Sequence, residues 1–366
     1  MKIMKWLVAG AVAATAPAAL LAQGSPLDRL QVHGYLTQAY AQSDSLSIIG
    51  ITKDGVSDYR AAALQFRYAI SDNENLVVQL NHRRLGSSVL NGAQSDVALN
   101  WAFYQRRVGD GSVRIGRVPM PRGIYNEVRS VGTMLPFFRA PYNFYTESFE
   151  TIDGLVASHA LSLGGWSADA SVMAGGVDFA QLAATAQGVG LARARGDKAV
   201  GATLWINTPV PGLRIGANDL HLSFANFPYS ETANVRRAAS VRQVSLDGNF
   251  SRVLLRGEAE RLWVDNFAYT AWYAQAGVKP TERLGLYFQT DRASVHVPVA
   301  TPFGPLFLKY PYAMDNAASV NFAISSSVVA KLEAHRAHGY QFDSYRSPLQ
   351  SGLTTNYGVF SVAASF

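Results

Sequence analysis

The sequence predicts an all-β fold, a membrane-spanning antiparallel β-barrel of about sixteen strands, and three observations predict it. The 366-residue chain is divided into short runs in which apolar and polar residues alternate, the pattern of strands with one apolar and one polar face. Short and long connections alternate between these runs. Beyond the N-terminal leader, no apolar run reaches the roughly 18 residues that a spanning helix requires.

The alternating connection lengths separate a membrane barrel from a soluble sheet. Outer-membrane barrels have an even number of strands, short periplasmic turns and longer external loops. A soluble β-sandwich also contains alternating runs, but it would not keep two classes of connection in alternation for so long. Because a bilayer offers no hydrogen-bond partners to an open sheet edge, a sheet that spans it has to close.

Residues 1–22 have the form of a secretory signal peptide. Lys2 and Lys5 precede an apolar stretch from Trp6 to Leu21, and the small residues that follow suit cleavage near Ala22. The alternative is a retained membrane helix, for which the stretch is short and poorly flanked. We therefore expect a single barrel domain over residues 23–366, exported to the outer membrane.

Composition excludes several classes of function. The chain has no cysteine, which removes thiol catalysis, cysteine metal sites and disulfides. Its net charge is +6, and loss of Lys2 and Lys5 with the leader lowers it to +4. So small a positive excess does not indicate nucleic-acid binding. It either favours the passage of anions or has little effect once the charges of the loops are counted.

Individual runs predict which side chains share a face. The expected apolar face of residues 60–70 consists of Ala62, Leu64, Phe66, Tyr68 and Ile70. Residues 97–108 are expected to oppose Val97, Leu99, Trp101 and Phe103 to Asn100, Tyr104 and Arg106. In residues 213–224 the phase changes, which predicts a β-bulge near Asn218. Residues 175–197 and 293–314 are expected to be external loops.

The stretch from Val118 to Gly154 is the longest connection and the candidate functional loop. Four prolines prevent it from forming one helix or one interior strand: Pro119, Pro121, Pro136 and Pro141. Its aromatic and charged side chains are too dense for a solvated linker. Two placements remain open, a loop folded into the barrel that narrows the pore and a lid packed on the rim. We predict the first.

Four features together resemble the Gram-negative trimeric porins: the leader, about sixteen alternating runs, a long third external loop and a last strand that ends in Phe366. The run from Val32 to Leu36 resembles their first strand. The segments Gly116–Pro119 and Thr151–Gly154, at the two ends of the long loop, are also porin-like. The resemblance implies a homotrimer in outer-membrane lipid and identifies Phe366 as a signal to the barrel-assembly machinery.

The resemblance also implies a transverse electric field at the constriction, with loop carboxylates facing a ladder of wall arginines. Alternation predicts water-facing arginines on four consecutive strands, namely Arg67, Arg83, Arg106 and Arg114. Placement at the strand ends, facing solvent at the rim, is the alternative. Later strands supply charged residues that we expect to be mutually paired on the opposite wall: Arg252, Arg256, Glu258, Glu260, Lys331, Glu333 and His335.

The long loop supplies the other candidates for the constriction. Its carboxylates are Glu127, Glu147, Glu150 and Asp153, and its arginines are Arg122, Arg129 and Arg139. Each carboxylate either faces the wall arginines or anchors the loop by pairing with the loop arginines. The short acidic–basic sequence of the best-known general porins has no close match here.

Catalysis is not supported by the sequence. Ser158 and His159 are neighbours in a strand, so their side chains point to opposite faces. The histidines do not cluster at metal-ligand spacing, and no cofactor motif is present. The first hypothesis is therefore a passive porin for small hydrophilic solutes and ions. A channel selective for anions or organic acids, and an outer-membrane enzyme or adhesin, are the alternatives.

Overall fold

The computed structural model describes residues 26–94, 96–185, 188–225, 236–301, 304–339, 342–343 and 353–366. The predicted signal peptide lies outside these residues. Short 3₁₀ turns form at Pro26–Arg29 and Gly132–Met134, and one helical turn, α1, forms at Asn91–Gln94. No helix in the described ranges is long and apolar enough to cross a membrane.

Sixteen strands follow one another along the chain: β1 (Leu30–Ser43), β2 (Val56–Ser71), β3 (Glu74–Leu85), β4 (Ala98–Val108), β5 (Gly111–Pro119), β6 (Thr151–Leu163), β7 (Trp166–Thr185), β8 (Gly188–Asn207), β9 (Leu213–Phe224), β10 (Arg237–Phe250), β11 (Val253–Val264), β12 (Phe267–Val278), β13 (Leu284–Thr301), β14 (Gly304–Ala323), β15 (Val328–Gly339) and β16 (Thr354–Ser365).

Each strand pairs antiparallel with its neighbours in sequence, and β1 pairs with β16, so the sheet closes into a barrel. The seam between the first and last strands runs from the pair Tyr35 and Ser365 to the pair Ser43 and Tyr357. The Gly34 amide donates to the Phe366 carbonyl at 3.0 Å, which continues the pairing to the last residue. The predicted sixteen-stranded antiparallel barrel is therefore confirmed.

The barrel is apolar outside and polar inside. In β11 the side chain of Glu258 is 3% exposed, whereas Leu255, on the other face, is 47% exposed. The even positions of β16, including Phe360 and Val362, are exposed, and the alternating Val359 and Ser361 are buried. An exposed apolar face around a closed sheet is the pattern of a barrel surrounded by lipid.

Two segments predicted as loops are strands. Residues 175–197 continue β7 and β8 almost to their hairpin, and residues 293–314 continue β13 and β14 in the same way. Burial still alternates at the start of these extensions, with Val177 and Phe179 buried and Asp178 between them exposed. Side-chain contacts, such as Phe179 with Phe224 and Arg195 with Asp178, accompany the backbone pairing there. The Gly- and Ala-rich composition of residues 175–197 obscured the strand pattern in the sequence.

A β-bulge in β4 reverses the predicted face of its second half. Gln79 pairs with Trp101 and Leu80 pairs with Leu99, so Asn100 is the extra residue. Beyond it, Trp101 and Phe103 lie on the inner face, and Ala102, Tyr104 and Arg106 lie on the outer face. The predicted grouping of Val97, Leu99, Trp101 and Phe103 on one face is therefore wrong.

The bulge predicted near Asn218 is also wrong. β9 pairs with β10 without interruption, and the irregularity lies in β8 between Asp197 and Val200, where Lys198 has a φ of 53°. The phase changes in β9 because Leu220, Leu222 and Phe224 face inward. They belong to an apolar cluster inside the barrel, which also contains Phe149 and Phe179.

Candidate pore constriction

The long loop, residues 120–150 between β5 and β6, is bound to strands on the other side of the ring. Lys331 of β15 is 1% exposed, and its ammonium donates to the carbonyls of Gly132, Leu135 and Phe137 at 2.6, 2.6 and 2.9 Å. Three carbonyl oxygens converging on one ammonium satisfy all of its donors. The middle of the loop is therefore fixed to β15.

Carboxylates of neighbouring strands accept hydrogen bonds from the loop backbone. Glu333 accepts from the Phe138 amide at 2.7 Å, and Asp291 of β13 accepts from the Asn143 amide at 2.9 Å. His335 lies between Glu333 and Asp315, with N···O distances of 3.1 and 3.0 Å. Of the charged residues expected to pair with one another on this wall, His335 and Glu333 do so, whereas Lys331, Glu258 and Glu260 bind the long loop and Arg256 pairs with Asp247.

The first part of the loop is anchored to β11. The buried guanidinium of Arg122 pairs with Glu260 and lies 5.2 Å from the centre of the Phe144 ring. Glu258 accepts from the Ile124 amide at 3.1 Å and from the hydroxyls of Tyr145 and Tyr273. Arg122 therefore belongs to a loop anchor and is fully enclosed, which separates it from the solvent-facing candidates.

The order of the strands in the barrel shows how far round the wall the contacts of the long loop extend. Going round the closed barrel in the printed order, β13 is eight strands from β5, half of the circumference. The loop leaves β5, makes hydrogen bonds to β11, β13 and β15, and returns to β6. The strand residues in these contacts are all on the face opposite the exposed apolar side chains.

Two wall arginines face loop carboxylates near the start of the ring. Arg83 of β3 pairs with Glu147, and Arg114 of β5 pairs with Glu127 at 3.3 Å. Burial alone would raise the pKa of Glu147, but the Arg83 guanidinium, assisted by Arg139 and Arg129, holds that pKa below its ordinary value. Glu147 is therefore a charged, buried partner of the wall.

Arg67 is the third predicted wall arginine on the inner face. It and three further charged residues of the loop contact neutral groups. Arg67 of β2 donates to Asn75 Oδ1 at 3.2 Å. Arg129 donates to the Thr146 carbonyl at 2.8 Å, and Arg139 lies 4.3 Å from the centre of the Tyr142 ring. Glu150 accepts from Asn100 Nδ2 at 3.1 Å. The structure thus brings Arg67, Arg83 and Arg114 to the inner face, as alternation predicted.

Arg106 is on the outer face, so its predicted place in the arginine ladder is wrong. It pairs with Glu74 at 3.6 Å, and Tyr104 beside it donates to the same carboxylate at 2.8 Å. The β4 bulge is the cause, because the extra residue reverses the alternation between Leu99 and Arg106.

Asp153 is also on the outer face, and its prediction as a constriction carboxylate is wrong. It lies in β6 between Ile152, which is buried inside, and Gly154. Its carboxylate accepts from Arg117 at 3.1 Å and from Arg195 at 2.9 Å, and both arginines also pair with Asp178. The strand begins two residues before Asp153, so the residue belongs to the wall and its alternation, not to the loop.

Sequence reasoning missed Asp291, Tyr273 and Trp101, which all face the interior. The first two occupy odd positions of β13 and β12, where alternation of small and polar residues gave a usable signal. Trp101 gave none, because its orientation depends on the bulge. Within the described residues, no cluster of histidine, aspartate and glutamate has the arrangement of a metal site.

No protein-family model matches the sequence, and no curated protein does. Solved structures match across nearly the whole length. OmpF of Salmonella typhi, in complex with daunomycin, has a TM-score of 0.62 at 13% identity over 92% of this chain and 97% of that chain. An anion-selective porin from Comamonas acidovorans has a TM-score of 0.53 at 10% identity, over 92% and 99% of the two chains.

The trimer form of OmpT, an outer membrane protein of Vibrio cholerae, has a TM-score of 0.54 at 11% identity, over 92% of this chain and 99% of that chain. At such low identities the likeness concerns the fold. The closed ring, its outward apolar face and these matches lead to one conclusion: the chain has the sixteen-stranded β-barrel fold of the Gram-negative outer-membrane porins.

Proposed function

We propose that the chain is an outer-membrane porin, a water-filled channel through which small hydrophilic solutes and ions diffuse passively. The observation that carries the proposal is the polar inner face of a closed barrel whose outer face is apolar. A sixteen-stranded barrel is wide enough to enclose an aqueous channel. The proposal gives the chain no catalytic role, and it places the protein in the outer membrane of a Gram-negative bacterium.

The proposal includes a long loop folded into the lumen. Its support is the set of hydrogen bonds from the loop to the inward side chains of β11, β13 and β15. A lid on the rim would not reach Lys331, which lies three residues from the start of β15 at the short-turn end. The loop therefore sets the width of the passage.

The proposed constriction lies where loop carboxylates face the wall arginines of the first strands. Arg83 with Glu147, and Arg114 with Glu127, place opposite charges across the space between wall and loop. Arg67, Arg129 and Glu150 add charge to the same region, and Arg122 and Arg139 hold the loop in place. Charges that surround the narrowest point of a channel determine its ion selectivity.

We further propose a homotrimer, assembled in the outer membrane by machinery that reads Phe366. The trimer form of the Vibrio cholerae protein supports the oligomer, and the exposed ring of Phe366 at the end of the seam supports the signal. The predicted signal peptide over residues 1–22 supports export.

A planar lipid bilayer tests the channel directly. Purified protein should produce stepwise increases in ion current, and a salt gradient should give a reversal potential that reports the preference for anions or cations. If folded protein inserts and carries no current, the channel proposal fails.

A channel that prefers anions is the second candidate. Arg67 donates to an amide oxygen. The cavity at the short-turn mouth is lined by more cations than carboxylates, with Arg252, Arg256, Lys279 and Arg283 beside Glu282. The anion-selective porin from Comamonas acidovorans shares the fold. A reversal potential close to that of chloride would favour this candidate, and a shift towards potassium would exclude it.

A further inference from the structure

Four arginines of the outer face lie at one level of the barrel, and we call them the basic belt. Each is exposed between two buried neighbours in its strand, and each lies eight residues from the end of that strand at a short turn. They are Arg242 in β10, which ends at Phe250, Arg261 in β11, which begins at Val253, Arg292 in β13, which begins at Leu284, and Arg336 in β15, which begins at Val328. The basic belt therefore crosses six neighbouring strands, β10 to β15.

In the proposed outer membrane, this level is close to the headgroups of the outer leaflet. A strand rises about 3.4 Å per residue and is tilted by about 35–45° in such barrels, so eight residues place the belt about 20 Å above the short turns. The apolar band of these barrels is about 25 Å tall. Two tryptophans, Trp263 and Trp272, lie beside the belt, and this residue type is enriched at the boundary between lipid and water. The long arginine side chains can therefore extend to the headgroups.

Two members of the belt repel each other. Arg242 and Arg261 are directly opposite in the register of β10 and β11, a position in which like charges destabilise a sheet. Their guanidinium groups lie 5.6 and 4.9 Å from the centre of the same Trp263 ring. Asp219 is 3.6 Å from Arg242, whereas no carboxylate of the described residues pairs with Arg261. An anion bound between the two guanidinium groups would remove this repulsion.

The other two members also have no carboxylate partner in the part of the chain that the structure describes. Arg292 lies 5.7 Å from the centre of the Trp272 ring. Arg336 is opposite two neutral residues, Asn316 and Asn356. Their charges are therefore left for a partner outside the chain.

Outer-face arginines on the other side of the barrel are neutralised within the chain. Arginines of β2 to β8 pair there with carboxylates of the same face: Arg60 and Arg84 with Asp58, Arg106 with Glu74, and Arg117 and Arg195 with both Asp153 and Asp178. The contrast shows that positive charge without a partner is a property of the sector that carries the belt. It also makes a second copy of the chain a poor partner, because these carboxylates are already paired.

We propose that the basic belt binds the phosphate groups of anionic lipids in the outer leaflet. Guanidinium groups would donate to the phosphate oxygens in the paired geometry that arginine forms with phosphate. The acyl chains would lie along the apolar wall between the belt and the short turns. The inference rests on the proposed outer-membrane location, and it assigns a lipid-binding role to a surface outside the channel.

Native mass spectrometry tests the lipid preference of the purified barrel. The protein is released from detergent micelles that contain equal amounts of dioleoylphosphatidic acid and dioleoylphosphatidylcholine, and wild type should retain mainly the phosphatidic acid. Arg261→Gln and Arg292→Gln should each lower the ratio of retained phosphatidic acid to phosphatidylcholine by about fivefold, the usual contribution of one basic residue at a membrane surface. Arg261→Lys keeps the charge and should retain most of the preference.

Arg60→Gln and Arg106→Gln are the matched controls, because each removes a paired arginine from the outer face, and the lipid ratio should stay at the wild-type value. Heat-modifiable mobility on gels identifies the folded variants. If Arg261→Gln or Arg292→Gln does not fold, Arg336→Gln provides the same test on another strand.

Three results would overturn the lipid site. They are equal retention of the two lipids by wild type, an unchanged ratio in the folded belt variants, and displacement of the phosphatidic acid by inorganic phosphate at the same concentration, which would make the belt a site for free anions. Planar bilayers separate this question from the channel. Loss of the lipid preference with normal current would confirm the belt and leave the channel intact, whereas a folded barrel that retains the preference and carries no current would overturn the channel alone.

Discussion

Arg114 and Arg106 are eight residues apart and lie on opposite faces of the barrel wall, which makes them a matched pair. Arg114→Gln removes a positive charge next to Glu127 and should move the reversal potential towards that of the cation. Arg106→Gln removes the same charge from the outer face and should leave the reversal potential at the wild-type value. Equal shifts in the two variants would mean that neither residue acts through the constriction.

Glu147 gives a prediction for pH. Because its pKa is lowered in the folded state, its pairing with Arg83 stabilises the fold above the ordinary glutamate pKa of about 4.3 and is lost as pH falls through the lower folded-state value. At neutral pH, Glu147→Gln should lower the free energy of unfolding by about 3 kcal/mol, as expected when one partner of a buried pair is removed.

The difference between wild type and Glu147→Gln should shrink when the pH falls below about 4, which denaturant titrations at several pH values would measure. Glu282→Gln, in an exposed turn, is the control and should show no such difference. A constant difference across the acid range would mean that the stability of the fold does not depend on the charge of Glu147.

At this scale the sequence predicted the inward faces of Arg67, Arg83 and Arg114, because strict alternation holds through β2, β3 and β5. It failed at Arg106 for one reason, the bulge at Asn100. Nothing in the residues around Asn100 marks a bulge, because it depends on how β4 meets β3. The inward orientation of Trp101 was hidden by the same feature.

Among the elements, β15 holds the middle of the long loop mainly through the buried cation of Lys331, beside the bond from the Phe138 amide to Glu333. Lys331→Met leaves the carbonyls of Gly132, Leu135 and Phe137 without their donor. We expect the free energy of unfolding to fall by about 3 kcal/mol or more. We also expect more open-channel current noise, because the middle of the loop becomes free to move in the passage.

Lys279→Met is the control for this variant, because Lys279 is exposed in the turn after β12. Its effect on stability should stay within about 0.5 kcal/mol, and its current noise should equal that of wild type. If Lys331→Met unfolds at the wild-type denaturant concentration, the loop does not depend on this anchor.

At the scale of the elements, the sequence pattern predicted the number of strands but not their ends or the contacts of the long loop. The count of sixteen strands and the position of the long loop followed from alternation and from four prolines. The true ends of β7, β8, β13 and β14 did not, because residues 175–197 are rich in glycine and alanine and residues 293–314 contain several prolines, which obscures the alternation. The contacts of the loop with β11, β13 and β15 were also beyond the pattern, since they join residues more than a hundred positions apart.

At the scale of the whole molecule, substitution of Phe366 distinguishes an effect on the stability of the barrel from an effect on its assembly in the membrane. Its ring is exposed, so Phe366→Ala should leave the unfolding transition of the detergent-refolded barrel within about 0.5 kcal/mol of wild type. In cells the same change should reduce the amount of folded barrel in the outer membrane, measured by heat-modifiable mobility on gels. A similar loss in both settings would mean that the residue supports the fold itself and is no assembly signal.

The barrel cannot close until β16, its last strand, is available to pair with β1. Every other neighbouring pair of strands is close in sequence, whereas this pair joins residues about three hundred positions apart, and such distant contacts form slowly. Until the ribosome has released the C-terminal segment, β1 has no partner on one side. A sheet that lacks β16 would therefore leave two edges with unpaired backbone groups, and such edges can pair with other chains.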